Sequence, residues 1–146
     1  MGFEYKNVLI AVDGSDLSKK AFDRAVHIAN RDGAQLVLVH VIDTKHDSAI
    51  RPYLDIDQIA ENSKKEAIEM LDNFEKKANE SNFSNVKKVI KVGSPRRIIL
   101  EEVIPDEKID LVILGATGVS AIERILIGSV SEGVFRYSPC DVLVVR

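Results

Sequence analysis

The stretch from Asn7 to Ser15, NVLIAVDGS, decides the fold. After Asn7 it is apolar without alternation up to Val12, and half of its first six residues are β-branched. A short, uniformly apolar run of this kind reads as a strand buried on both faces, as in a parallel sheet covered by helices. Asp13, Gly14 and Ser15 form a turn cluster that ends it, and Ser15 or Asp16 can cap a helix behind it. The helix shows itself as Leu17, Ala21, Phe22, Ala25, Val26 and Ala29 at helical spacing, with Gly33 as its stop signal.

The same alternation continues along the chain. Gln35 to Ile42 (QLVLVHVI) is a second buried strand. A polar stretch from Asp43 to Asp55 follows, with Pro52 inside it; it is long for a loop and points to a functional segment. Arg51 within it is a candidate lid over a ligand. Ile56 to Asn79 is helical, with Ile59, Ala67, Met70, Leu71, Phe74 and Ala78 on one side. Val86 to Val92 is a third strand, flanked by lysines as an edge strand is. Gly93 breaks it, Ser94 is an N-cap and Pro95 a first helical residue, with Ile98, Ile99 and Val103 on the buried face. Asp110 to Leu114 is a fourth strand. Gly128 to Tyr137 is a last helix, with Val130, Val134 and Phe135 inward. Asp141 to Arg146 is a fifth strand. This pattern predicts an α/β fold: an open five-stranded parallel sheet of order 3-2-1-4-5, right-handed crossovers, helices on both faces, and one domain over residues 1–146.

Composition narrows the function. The 146 residues carry 20 basic and 23 acidic side chains, a net charge of −3. No broad field attracts nucleic acid or an anionic membrane, so neither is expected as a partner. The chain holds one cysteine, Cys140, so no internal disulfide forms. No apolar run approaches the roughly 18 residues of a membrane span, and the first residues lack the core of a signal peptide. The expected location is cytoplasmic. Cys140 reads as a small buried apolar residue.

In an open parallel sheet, ligands bind beyond the carboxyl ends of the strands, where the order reverses. Here the reversal lies between strands one and four. The loops that meet there are Val12 to Ser15 and Gly115 to Gly118, both with glycine. The second runs on through nine residues to Gly128, Ser129, Val130 and Ser131. Taken singly, each glycine is an ordinary turn residue. Together they bring close-approach backbone and a helix N-terminus to one crevice. The first N–H groups of that helix lack intrahelical partners and carry the positive end of its dipole. That is a phosphate site without a lysine. Asp13 either caps the following turn or contacts Mg²⁺ or Mn²⁺, commonly one carboxylate plus phosphate oxygens. The two roles are compatible.

The run GATG at Gly115 to Gly118, nine residues, then Gly128-Ser129 resembles the G-x2-G-x9-G-[S/T] signature of the ATP-binding branch of the universal stress protein family. VLIAVDGS from Val8, VGSP from Val92 and SPCDVLVV from Ser138 resemble the family's opening strand, its third strand-to-helix turn and its closing strand. The resemblance covers the whole chain and implies a Rossmann-like fold of the adenine nucleotide α-hydrolase type. It also implies ATP between strands one and four, with a magnesium or manganese ion held through the phosphates. Ala11 and Val12 would line the base pocket, and the Val41 backbone would meet adenine. Asp13 would lie near the ribose and the metal-bound phosphates. Gly115, Thr117, Gly118, Gly128, Ser129, Val130 and Ser131 would surround ribose and phosphates. Thr117 stands where many relatives have histidine or arginine, so a basic contact is missing there.

Other residues carry less. His40, inside strand two, reads as a satisfied core or near-surface histidine; His27 and His46 read as helix-surface and loop residues, and the three are not at metal-ligand spacing. Arg96 and Arg97 read as a solvated pair. Val142 to Val145 forms an apolar edge whose pairing with a second copy predicts an isologous homodimer, a mode the family also uses. The leading function is a nucleotide-dependent regulatory module with protein partners the sequence does not name. The alternative is a slow or partner-stimulated ATPase or phosphotransferase, for which the sequence offers no Walker lysine and no evident base beside Asp13.

Overall fold

A strand apolar on both faces needs a neighbour at each edge and a helix layer on each side. The structure, a computed structural model, describes residues 2–13, 16–115 and 129–145; the side chains of residues 16–18, 46, 47 and 129 fall outside that description. Strands β1 (Asn7–Ala11), β2 (Gln35–Ile42), β3 (Val86–Val92), β4 (Leu111–Gly115) and β5 (Asp141–Val145) form one sheet, ordered β3-β2-β1-β4-β5. Every pairing is parallel, and central β1 sets Val8 against both Leu36 and Leu111. The predicted strand order and sheet type are those observed.

Alternate strand residues feed two cores. Val8, Ile10, Leu36, Leu38, Leu111 and Ile113 pack with α1 (Asp16–Asp32) and α3 (Ile56–Glu80). The Phe22 and Phe74 rings, 4.8 Å apart, join those two helices. Leu9, Val37, Val39, Val112 and Leu114 face the other way, toward α4 (residues 95–106) and α5 (Ser129–Tyr137). Helix α4 follows β3 as Pro95–Ile98, a π-helical turn Ile99–Val103, and Ile104–Asp106. The π turn sends the Ile104 N–H to the Ile99 carbonyl. Pro105 has no N–H and its ring crowds the preceding turn, which the wider turn accommodates.

Local chemistry sets the ends of the elements. Gly33 leaves α1 at φ 67°, the left-handed region where a side chain is strained. Gly93 turns from β3 into α4 at φ 145°, its N–H on the Ile42 carbonyl at 2.9 Å. Helix α3 starts at a capping box: Asp55 Oδ1 accepts the Gln58 N–H at 2.7 Å, and Gln58 Oε1 accepts the Asp55 N–H at 3.3 Å. Edge strand β3 projects Lys88 to Asp72 at 2.7 Å and Glu75 at 3.0 Å, so the expected lysines guard that edge.

Three expectations need correction. The stretch read as a loop from Asp43 to Asp55 contains helix α2 (Thr44–Ile50), begun by Asp43 Oδ1 accepting the Lys45 N–H at 3.1 Å. It has no apolar stripe, so periodicity could not reveal it. The Ser94 side chain makes no cap bond; its carbonyl instead accepts the Ile98 N–H at 2.9 Å. Phe135 points outward and is 49% exposed, because Val130 and Val134 already fill the inner face of α5. Arg96 and Arg97 are both exposed, as expected; the Arg96 guanidinium also lies 5.1 Å over the Tyr137 ring, and Arg97 lies 3.5 Å from Glu102. Among the described residues, no helix is long and apolar enough to cross a membrane. Gly14 and Ser15, named above for the turn and cap, lie outside the described residues, and the Leu17 side chain is not described.

Candidate functional site

Where β1 and β4 lie side by side, the next described helices, α1 and α5, pack on opposite faces of the sheet, and the carboxyl ends part into a crevice. It is a cavity of about 320 Å³, within the range of small-molecule sites. Its floor is sheet core: Leu9, Val39, Val112 and Leu114. Ala11, Val12 and Asp13 form one wall as β1 runs out, with His40 and Val41 beside them at the end of β2. Gly115 closes β4 at the rim. Pro95 and Ile99 of α4, and Val130, Ser131 and Val134 of α5, complete the lining.

Seven of the residues singled out from the sequence thus meet in one place: Ala11, Val12, Asp13, Val41, Gly115, Val130 and Ser131. Ser129 opens α5, with its side chain outside the description. Thr117, Gly118, Gly128 and the spacer 119–127 lie outside the described residues. The lining is mostly apolar. Among the described lining residues, Asp13 is the one carboxylate and sits exposed at the mouth, and the lining includes no lysine or arginine. No group of three or more potential metal-ligating side chains occurs among the described residues. A divalent cation here would take one carboxylate, Asp13, and draw its other oxygens from a ligand.

His40 is a satisfied histidine, as expected, and it also lines the cavity. It is partly buried at the cavity wall, and its Nδ1 lies 2.8 Å from the Val12 carbonyl oxygen. A carbonyl only accepts, so Nδ1 carries the hydrogen. Val12 is held from its other side too, since its N–H donates to the Val39 carbonyl at 3.0 Å. Arg51, the candidate lid, does not line the cavity. Its guanidinium pairs with Glu66 on α3 at 3.0 Å, away from the cavity lining. Cys140 packs on the α4–α5 core, where burial pushes its thiol pKa up. His27 is exposed on α1, as expected; the His46 side chain is not described.

Leu9, Val39, Pro95, Ile99, Val112, Leu114 and Val134 line the cavity too, and none of them was assigned to the site from the sequence. The signal was present in parity: Val39 shares a strand face with Val41, and Val112 and Leu114 share theirs with Leu9.

Comparison with known proteins follows this geometry. Residues 4–146 match the sequence profile of the Universal stress protein family. The chain is 43% identical over 142 residues to a chain described as a universal stress protein in Staphylococcus epidermidis, covering 97% of this chain and 84% of that one. The solved universal stress protein UspA from Lactobacillus plantarum superposes with a TM-score of 0.81 at 31% identity, over 99% of this chain and 100% of its own. A universal stress protein solved in complex with cAMP superposes at 0.68 with 29% identity, over 99% of this chain and 98% of its own. The chain belongs to the universal stress protein family.

Proposed function

We propose that this universal stress protein is a nucleotide-dependent regulatory module that holds ATP in the cavity between β1 and β4. The observation that carries the reading is the cavity's two-part character: a mostly apolar slot beside the N-terminal turn of α5. An adenine ring buries its faces against such walls, with Ala11 and Val12 on one side and Val41 meeting its edge through backbone. The outward N–H groups at the start of α5 and the Ser131 hydroxyl suit phosphate oxygens. Asp13 would sit near the ribose and hold Mg²⁺ or Mn²⁺ together with phosphates. Gly115, Thr117, Gly118, Gly128, Ser129 and Val130 complete the assignment on the strength of the glycine signature. The cAMP complex of a relative supports an adenine nucleotide in this fold.

In this reading the protein works in the cytoplasm as a homodimer paired through Val142 to Val145 of edge strand β5, and occupancy biases its choice of partner. Four or five charge-assisted bonds of about 1.5–3 kcal/mol each suffice for micromolar affinity, about 8 kcal/mol, after association costs. The test is mass spectrometry of small molecules released from the purified protein, together with a thermal shift in Mg-ATP. An adenine nucleotide and a rise in Tm are expected. No nucleotide and no shift would refute the reading. Sustained phosphate release that disappears in Asp13→Ala would move the assignment from binding module to ATPase.

A further inference from the structure

A backbone can read a base only if its N–H is not already used by the sheet. The end of the β1–β2 ladder shows how Val41 meets that condition. In a parallel ladder, a residue's N–H and C=O go to the two residues that flank its opposite number. Continuing the register Ala11↔Val39 places Val12 opposite His40. The Val12 N–H accordingly donates to the Val39 carbonyl at 3.0 Å. By the same rule the Val12 carbonyl should take the Val41 N–H. His40 Nδ1 sits there instead, at 2.8 Å, and among the described residues no backbone bond joins Val41 to Val12. The imidazole has replaced one rung of the ladder.

We infer that His40 is a positioning residue that takes the Val12 carbonyl and so leaves the Val41 N–H for an acceptor on the base of a bound nucleotide. The inference rests on the proposed adenine site and specifies its selectivity. Adenine presents a bare ring nitrogen, N1, on its pairing edge, which accepts from an N–H. Guanine carries a hydrogen on that nitrogen and would set donor against donor. The cost of leaving a buried donor unsatisfied then discriminates between them. The same bond pins the peptide that follows Val12, so Asp13 leaves the sheet from a fixed point.

Three variants of the full chain separate this role from general packing. In His40→Asn the side-chain NH₂ stands at the distance of Nδ1; in His40→Gln it stands one atom farther out; His40→Leu has no donor. Affinities for Mg-ATP and Mg-GTP are measured by calorimetry. His40→Leu and His40→Gln should lose about tenfold in ATP affinity, the value of one bond, while their preference for ATP over GTP falls toward one. His40→Asn should stay within about threefold of the parent on both counts. If His40→Leu fails to fold, the Asn and Gln pair still decides. Amide hydrogen exchange supplies an arm that needs no ligand. In the unliganded parent the Val41 N–H should exchange well ahead of the Val37 and Val39 N–H groups, and it should slow in His40→Leu as the rung closes. An unchanged ATP to GTP preference in His40→Leu and His40→Gln overturns the inference. So does a Val41 amide as protected as Val39 in the parent. If the parent binds neither nucleotide, the proposed function fails, and the exchange data still judge His40.

Discussion

Gly133 lies buried in α5 beneath the side chain of Arg96, and replacing it with alanine tests how that helix is held over the cavity. A Cβ at position 133 would stand 2.6 Å from Arg96 Cδ and 2.8 Å from Cγ. These are stem atoms, not a free tip, so the arginine must move as a whole. Moving it gives up the guanidinium stack 5.1 Å above Tyr137. Alanine favours a helix interior over glycine by about 0.8–1 kcal/mol. Against that stand about 0.5–1 kcal/mol for an exposed cation–π contact and about 1–3 kcal/mol for overpacking. Gly133→Ala should therefore destabilise by about 0.5–3 kcal/mol. In an Arg96→Ala background the obstruction is gone, and the same change should stabilise by about 0.8–1 kcal/mol. Urea unfolding of the four proteins, with unchanged m-values, measures the cycle. Equal effects of Gly133→Ala in the two backgrounds, within about 0.5 kcal/mol, would refute the argument.

Other expectations follow from single groups. Tyr5 donates its hydroxyl to Asp141 at 2.8 Å, and that bond, followed by desolvation, raises its pKa above the usual phenol value of about 10. The unfolded chain loses the proton first, so the contribution is full below that value and vanishes as pH rises through the folded pKa. Urea midpoints at alkaline pH should thus fall less steeply in Tyr5→Phe than in the parent. Asp110 accepts the Lys6 and Asn7 N–H groups at 2.8 and 2.9 Å, fixing the start of β1. Asp110→Ala should cost about 1–2 kcal/mol in unfolding measurements, the low end for charged acceptors because the bonds are partly wet. The Cys140 thiol, raised by burial, should alkylate more slowly at pH 7.5 than a free peptide cysteine; equal rates would contradict the placement.

The sheet was legible because its signal is redundant. Four apolar runs and one lysine-bearing edge run, each bounded by a turn or a cap, leave few arrangements other than a parallel sheet wound on both faces. Helix α2 was not legible, since Thr44 to Ile50 has no apolar stripe and its start rests on side-chain bonding at Asp43. The π turn in α4 could not be foreseen from periodicity either, because Ile98, Ile99 and Val103 bury in either register; only Pro105 hinted at it.

The candidate site divides along a different line. Residues at strand ends and glycines, such as Asp13 and Gly115, stand out because a buried strand has no reason to carry them. The cavity floor does not stand out. Leu9, Val39, Val112 and Leu114 are core residues first, and the crevice borrows the sheet face they already cover. His40 is hidden for a third reason: its chemistry lies in a bond to backbone, at Val12, which no spacing in the sequence encodes. These three kinds of residue respond differently to change. A truncation in the floor, Leu114→Ala for example, should cost about 2–5 kcal/mol of stability along with any loss of binding. A change at Asp13, exposed at the mouth, should alter ligand affinity with little effect on stability. Comparing the two losses for each lining position would therefore separate the part of the cavity that the fold requires from the part that only a ligand explains.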